Sequence, residues 1–384
     1  MLDTVALTLD RHEFVVLRPE AFSPSAQGLL EPPYYPIGGR ANMSCVLNPT
    51  SEDRRDGRYK PRLTLTRRIA VGGFATTLRV EFSAPKLLFG NNFDELRSQD
   101  FDAVVRALGQ ALSDLGVMVR EDILRAARVS AVHFGKNIAL HEFTTCTMAL
   151  VELAKVDLTR RLDLSRTDFR DHGHAVRYHA NRFEVAFYDK VKDLRKSRLS
   201  EKRAIERDNA CQTDLLAASV LPKGLEVLRM EVRLGSRQKI MALLKELHPG
   251  AEPTFAAVFD RSLARKVLLH FWARVGAGRC PQAGVASRPE DVFLALAAAR
   301  PAAKPTKVLQ HLAASALLAS VGWRGLAALV EMRAGTRSWQ RLKREMKSWP
   351  ATVGFSPLDA VAESLTRFEA LRLQAFRAGV RTVA

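Results

Sequence analysis

Seven short segments of this chain alternate apolar and polar residues, and beyond Phe255 none does. No other feature constrains the fold as much. Alternation marks strands at Asp3 to Leu9, Glu13 to Leu17, Arg62 to Ile69, Thr77 to Phe82, Leu164 to Phe169, Phe183 to Tyr188 and Val227 to Leu234. Helical spacing appears at Phe101 to Leu115, Phe143 to Val156 and Arg237 to Leu247. After Phe255, apolar residues recur at intervals of three and four, interrupted by "RPAAKPTK" and "KSWPATVGFSP". The pattern predicts an α+β chain: a domain with a central antiparallel sheet over residues 1–250, then a mostly helical region over 251–384. Residues 23–61, between the second and third of these strands, are too long and too rich in Pro and Gly for a turn, and read as a functional or disordered loop.

At 384 residues the chain has room for two such domains, taking about 150 residues for each. Its 59 basic and 41 acidic residues leave a formal charge of +18, and the sequence pI is about 10.2. A polyanion is therefore the expected partner, nucleic acid before all others. No apolar run approaches the ~20 residues of a spanning helix, and "MLDTVALTLD" has no basic stretch ahead of its apolar one. The expectation is a soluble, cytoplasmic protein with no membrane partner. Cys45, Cys146, Cys211 and Cys280 are too widely spaced for a C-x-x-C clip, so they read as reduced thiols without a zinc or disulfide role.

An internal echo links "LRVEFSAPKLL" at Leu78 with "LRMEVRLGSRQKIMALL" at Leu228. It fits two similar sheet-and-helix halves that offer Glu81 and Glu231 towards a common seam, and it fits equally two unrelated strands with solvent-facing glutamates.

Three strand segments carry conspicuous polar residues: Asp168 in "LSRTDFRD", Tyr188 in "EVAFYDK" and Glu231 in "LRMEVRL". Carboxylates on neighbouring strands can hold a hard divalent cation against a phosphate, and a tyrosine beside them supplies a nucleophilic oxygen. With a free pKa of ~10, the phenol needs a nearby cation to favour its ionised form. Lys190 shares the face of Tyr188 if the strand continues. The plainer readings are a tyrosine at a strand edge, Glu231 in an ion-pair ladder with Arg229 and Arg233, and Asp168 paired with Arg166 or Arg170.

The order "LDTVALTLD", "LRVEFSAPKLLFGNN", "LSRTDF", "EVAFYDKVKDL", "VLRMEVRLGSRQKI" resembles the gene II and gene X replication initiators of filamentous phages and related plasmid replication proteins, over roughly residues 1–245. The resemblance implies a rolling-circle initiator in a bacterial host cell. In such proteins a tyrosine nicks the plus strand of the double-stranded origin, is joined to the 5′ phosphate, and later helps close the displaced single strand into a circle. It places Tyr188 as the nucleophile with Lys190 on the family's lysine. Asp168, Glu231 and Glu81 fall on positions that imply Mg²⁺ or Mn²⁺ ligands, Glu81 as a third ligand or a structural residue, with Lys86 in the same segment as Glu81. A host helicase and polymerase are implied partners. The competing expectation is a DNA-binding regulator of phage replication that does not nick.

A rival constellation lies in "DHGHAVRYHANR", where His172 and His174 imitate a paired-histidine metal motif with Tyr178 nearby. Gly173 between them suits a turn better than a strand, and histidine suits Mg²⁺ poorly.

For DNA contact, Lys190 to Asp208 holds eight basic and four acidic residues, with Arg195 and Lys196 near its start. That segment reads as a phosphate-facing arm or as a solvated mixed-charge helix. Beyond Pro301, thirteen basic residues stand against five acidic ones. Residues 323–349 within that region pattern as a helix-turn-helix, with a turn at Ala334 and Gly335. Trp339, Leu342 and Met346 then form an apolar stripe opposite Arg337, Arg341 and Arg344, which would face phosphates or guanine edges. A packed helix pair with a basic exterior fits the same pattern.

Overall fold

The computed structural model describes residues 1–30, 43–50, 52–53, 58–71, 73–140, 144–156, 164–170, 173–198, 224–277, 289–349 and 357–373. The chain is α+β and contains a large antiparallel sheet. Its strands are β1 (Leu2–Asp10), β2 (Val15–Val16), β3 (Met43–Leu47), β4 (Arg62–Ala70), β5 (Gly73–Ser83), β6 (Val117–Met118), β7 (Arg128–Ala139), β8 (Leu164–Arg170), β9 (Ala175–Ala180), β10 (Phe183–Asp189) and β11 (Val227–Leu234). The chain divides into two compact units that interleave in sequence: residues 1–139, 182–269 and 368–384, and residues 140–181 and 270–367.

In the first unit the strand order is β3-β4-β5-β1-β7-β11-β10, antiparallel throughout. The order gives the internal echo a place, because β5 and β11 occupy matching positions on either side of the central β1–β7 pair. Each is followed by a helix, Ala84–Phe89 and Arg237–Leu247. Ser236 starts the second of these, its hydroxyl accepting the Lys239 N–H at 3.3 Å. One face of the β10–β11–β7 region is apolar: Val185, Phe187, Leu228, Met230, Val232, Phe134 and Ile138 are all buried there. Phe82, Phe101, Phe255 and Phe259 pack edge-on or tilted, with ring centroids 4.9–6.0 Å apart. The helix Phe101–Asp114 closes this core with Val104, Val105, Leu108 and Leu112 on one stripe.

Two expectations change. Residues 43–47 lie inside the expected long loop but form β3, the edge strand paired with β4. The strand expected over Glu13 to Leu17 shrinks to Val15–Val16, because Arg11–Glu13 form a 3₁₀ turn.

In the second unit β8 and β9 form a hairpin, and the rest is helical. The helix Pro305–Ser348 is broken where Gly322 and Gly335 take positive φ, 73° and 74°. A Cβ on Gly322 would stand 2.8 Å from the Cα of Lys155, so only glycine permits that approach of two helices. Around the second break Leu318, Trp323, Leu326, Trp339 and Met346 form one core cluster. By length and composition this helix has an apolar window long enough to cross a membrane, yet the two breaks interrupt it and Leu318, Trp323 and Leu326 are spent on that core.

Candidate functional site

Pleating puts alternate residues of paired strands on a common face. On the face opposite the apolar core, β10 presents Tyr188 across from Arg229 and Ala186 across from Glu231. On its other side β11 meets β7, with Arg229 opposite Asn137, Glu231 opposite Gly135 and Arg233 opposite His133. The strand stops at Asp189, whose carboxylate accepts the Lys192 N–H at 2.8 Å and so caps the helix Lys190–Arg198. Lys190 is therefore the first helical residue rather than a further strand residue on the face of Tyr188.

The Tyr188 hydroxyl donates to Glu231 Oε2 at 3.3 Å. The same oxygen receives Arg233 Nη2 at 3.0 Å, and Oε1 lies 3.5 Å from His133 Nδ1. Burial opposes ionisation of Glu231, but Arg233, His133 and Arg229 outweigh it and hold its carboxyl well below the usual range. Tyr188 is half-buried. Burial, then the charge of Glu231, pushes that phenol well above its ordinary value.

Arg229 is buried and spans the sheet. It donates Nη2 to Asp3 at 2.6 Å and Nη1 to Asn137 Oδ1 at 2.8 Å. Gly135 makes this possible, since a Cβ there would stand 2.6 Å from Arg229 Nη2. Beyond the start of β1, the segment Gly90–Leu96 closes the free edge of β7. Glu95 accepts the Asn137 N–H at 2.5 Å and the Lys136 ammonium at 2.7 Å. Asn92 accepts Lys190 Nζ on its side-chain oxygen at 2.5 Å. Residues 371–373 brace this segment: the Leu371 N–H donates to Glu95 and the Leu373 N–H to Asp94, at 2.9 and 2.7 Å. Among the described residues Lys190 has no carboxylate partner, and burial, reinforced by Arg229, pushes its ammonium down to about 7. An amine that titrates near neutrality among several cations can exchange a proton and attract a phosphate.

The expected site residues separate into groups. Tyr188, Lys190 and Glu231 share one neighbourhood of the first unit, and Lys86 is buried close enough to Lys190 to lower its pKa. Glu81 is not part of it. Glu81 pairs with Arg79 at 3.0 Å. It faces Ala6 on β1, which faces Ala131 on β7, whereas Glu231 faces Gly135. The two glutamates are thus three strands apart, about 14 Å across the sheet at about 4.8 Å per strand, and out of register besides. Asp168 belongs to the second unit, where it meets His179 at 3.2 Å. The ligand set expected from the sequence is therefore not gathered around Glu231 within the first unit, and a carboxylate already matched by Arg233, Arg229 and His133 does not fit a divalent cation. Asp189 and Glu226 have carboxylate oxygens within 4.8 Å of each other, but Asp189 alternates onto the sheet face opposite Tyr188 and is already engaged by the Lys192 N–H and, at 3.6 Å, the Lys192 ammonium.

Tyr178 is fully buried in the second unit, donating its hydroxyl to the Leu153 carbonyl, and burial raises its pKa far above the usual phenol. Gly173 sits in a turn with φ 85°; His172 lies outside the described residues, and His174 is half-buried before β9. Arg195 is exposed on the helix Lys190–Arg198, which also contains Lys196. Cys45 and Cys146 are buried and form no disulfide, while Cys211 and Cys280 lie outside the described residues. In the second unit Arg337, Arg341 and Arg344 are exposed and Trp339 and Met346 buried, with Leu342 half-buried against them. Lys343 lies 5.6 Å from the ring centroids of both Trp323 and Trp339.

Asp3, Asn92, Glu95, His133, Asn137 and the buried pairing of Arg229 were not foreseen. The only trace of them in the pattern was the paired asparagines of "FGNN". Compared with protein-family models, with curated proteins and with solved structures, the chain gives no match.

Proposed function

We propose that this chain is a DNA-nicking and strand-joining replication initiator whose nucleophile is Tyr188. The observation that carries the reading is the neighbourhood of that tyrosine: its hydroxyl bound by Glu231, Arg229 opposite it, and a buried lysine poised near neutrality that meets Arg229 through Asn92. In the proposed step the phenol oxygen attacks a backbone phosphorus, the bond to the 3′ oxygen breaks, and the 5′ phosphate is left on the tyrosine. The phenolic proton passes to neutral Lys190, whose low pKa makes it a better acceptor than the strongly acidic Glu231. The departing 3′ oxygen takes a proton from water and ends as a hydroxyl. Arg233 and Lys190 offset the charge gathering on the phosphate. Rejoining reverses the step with the 3′ hydroxyl as nucleophile. Mg²⁺ or Mn²⁺ belongs to the proposal through the family resemblance alone; the nearest pair of carboxylates, Asp189 and Glu226, does not fit that role because Asp189 lies on the sheet face opposite Tyr188, and no step is routed through a metal. The exposed arginines after Gly335 direct the protein to duplex DNA, with origin duplex and displaced single strand as substrates and a host helicase and polymerase acting downstream.

One observation favours the second reading, a DNA-binding regulator that does not cut. Asp168 and Glu81 do not join Glu231 in the first unit. Incubating the protein with supercoiled origin-bearing DNA and either metal separates the two. Relaxed circles that vanish with Tyr188→Phe support the initiator, and tight binding without relaxation supports the regulator.

A further inference from the structure

The hairpin of β4 and β5 runs in unbroken register from Arg62 opposite Glu81 to Ala70 opposite Gly73. Its inner half belongs to the core, with Leu63, Leu65, Leu78 and Val80 fully buried. Its outer end does not. From Arg68 to Ala75 every described residue is exposed, and that stretch, "RIAVGGFA", carries one charge. Ile69 and Phe74 face each other across the strands and remain 63% and 42% exposed, while Val71 is fully exposed. Turn ends are ordinarily polar or rich in turn-forming side chains, so an apolar tip contributes nothing to folding and lowers solubility.

The tip is also stiffened. Arg67 is buried behind it, donating Nη1 to the Gly28 carbonyl at 2.9 Å, with its guanidinium 4.9 Å from the centre of the Phe74 ring. Over residues 62–81 Arg62, Arg68 and Arg79 are exposed beside the single acid Glu81, so the stem is cationic, and beyond Arg67 and Thr77, where the pairing with β3 and β1 ends, the hairpin is two-stranded. A two-stranded ribbon is of a size that enters a DNA groove, and apolar side chains on such elements insert between base pairs while arginines take the phosphates.

We infer that the tip of this hairpin is a DNA wedge, in which Ile69, Val71 and Phe74 enter a base step of duplex DNA while the exposed arginines Arg62, Arg68 and Arg79 hold the flanking phosphates. The inference rests on the reading of the chain as a DNA-processing protein and adds how the duplex would be opened for Tyr188. Unstacking a base step costs free energy, which charge contacts along the stem would offset.

The test uses the full chain and an Ile69→Ser/Val71→Ser variant, whose exposed sites leave folding intact by circular dichroism. The probes are a duplex of about 30 base pairs with 2-aminopurine at its TA steps, the same strand alone, and vesicles of neutral and anionic lipid. The wild type raises 2-aminopurine fluorescence on the duplex about threefold, and the variant loses that rise while binding single strand within about twofold of wild type. An unchanged rise in the variant, or no rise in the wild type, overturns the wedge. Vesicle binding that the variant loses, with duplex unstacking retained, overturns it in favour of a membrane contact. Adduct formation on the single strand is scored separately: unstacking without adduct keeps the wedge and removes the nicking function, and adduct without unstacking does the reverse.

Discussion

Tyr188 donates its hydroxyl to Glu231 at 3.3 Å, across a strand pair in which Tyr188 faces Arg229 and Glu231 faces Ala186. This diagonal contact joins the proposed nucleophile to a carboxylate held between His133, Arg229 and Arg233. Glu231→Gln removes the negative charge that keeps the phenol protonated, so Tyr188 should ionise at lower pH, seen in its ultraviolet titration. The substitution also weakens the pairing of Arg233, which keeps Glu184, and of Arg229, which keeps Asp3, and urea unfolding at neutral pH should show a loss of about 1–3 kcal/mol. Because the folded carboxyl lies below its unfolded value of ~4.3, its contribution is present above that pH and fades as pH falls further. The variant should lack this acid-side loss.

Lys190 has a linkage of the same sign in a higher pH window. Its folded pKa of about 7 lies below the ordinary lysine value, so between pH 7 and about 10.4 the unfolded chain binds the extra proton and stability rises with pH. Lys190→Met should abolish that rise in urea unfolding. If neutral Lys190 takes the phenolic proton, nicking by the wild type increases through pH 7 and levels off above it. A rate that falls over this range would remove Lys190 as the proton acceptor.

Gly135→Ala places a methyl group against the Arg229 guanidinium, which Asp3 and Asn137 prevent from moving aside. A loss of about 1–3 kcal/mol in urea unfolding is expected. Gly90→Ala is a poor control because Gly90 has φ 70°, whereas Gly276→Ala, where a Cβ meets nothing within 4 Å, should change stability little.

Replacing Arg337, Arg341 and Arg344 by alanine should weaken duplex binding without lowering the melting temperature, since all three are exposed. For every phosphate that the variant no longer neutralises, the dependence of log affinity on log salt should flatten by about 0.9. A slope identical to wild type would leave this helix as ordinary surface.

Much of the sheet was legible from alternation, but its central strand β7 was not. In "RVSAVHFGKNIA" the apolar face is interrupted by Lys136, buried on Glu95, and the other face carries His133, Gly135 and Asn137 for the site. Polar residues buried by long-range pairing erase the period-two signal that marks an ordinary strand. The helix Arg237–Leu247 was legible to the residue because Ser236 and the leucine spacing are local signals. Tyr188, Lys190 and Glu231 stood out in the sequence, whereas Asn92 and Glu95 reach the site only through the folding of a loop over the edge of β7. The break at Gly335 fell where its neighbours suggested, because a positive φ favours glycine.

The decisive measurement is to incubate the protein with a labelled single-stranded oligonucleotide carrying the origin sequence and Mg²⁺ or Mn²⁺, digest with trypsin, and sequence the nucleotide-bearing peptide by mass spectrometry. Nucleotide joined to the peptide from Phe183 to Lys190, and absent with Tyr188→Phe, is the predicted result. Nucleotide on the peptide from Tyr178 to Arg182, or tight binding with no covalent product under either metal, would contradict Tyr188 as the nucleophile.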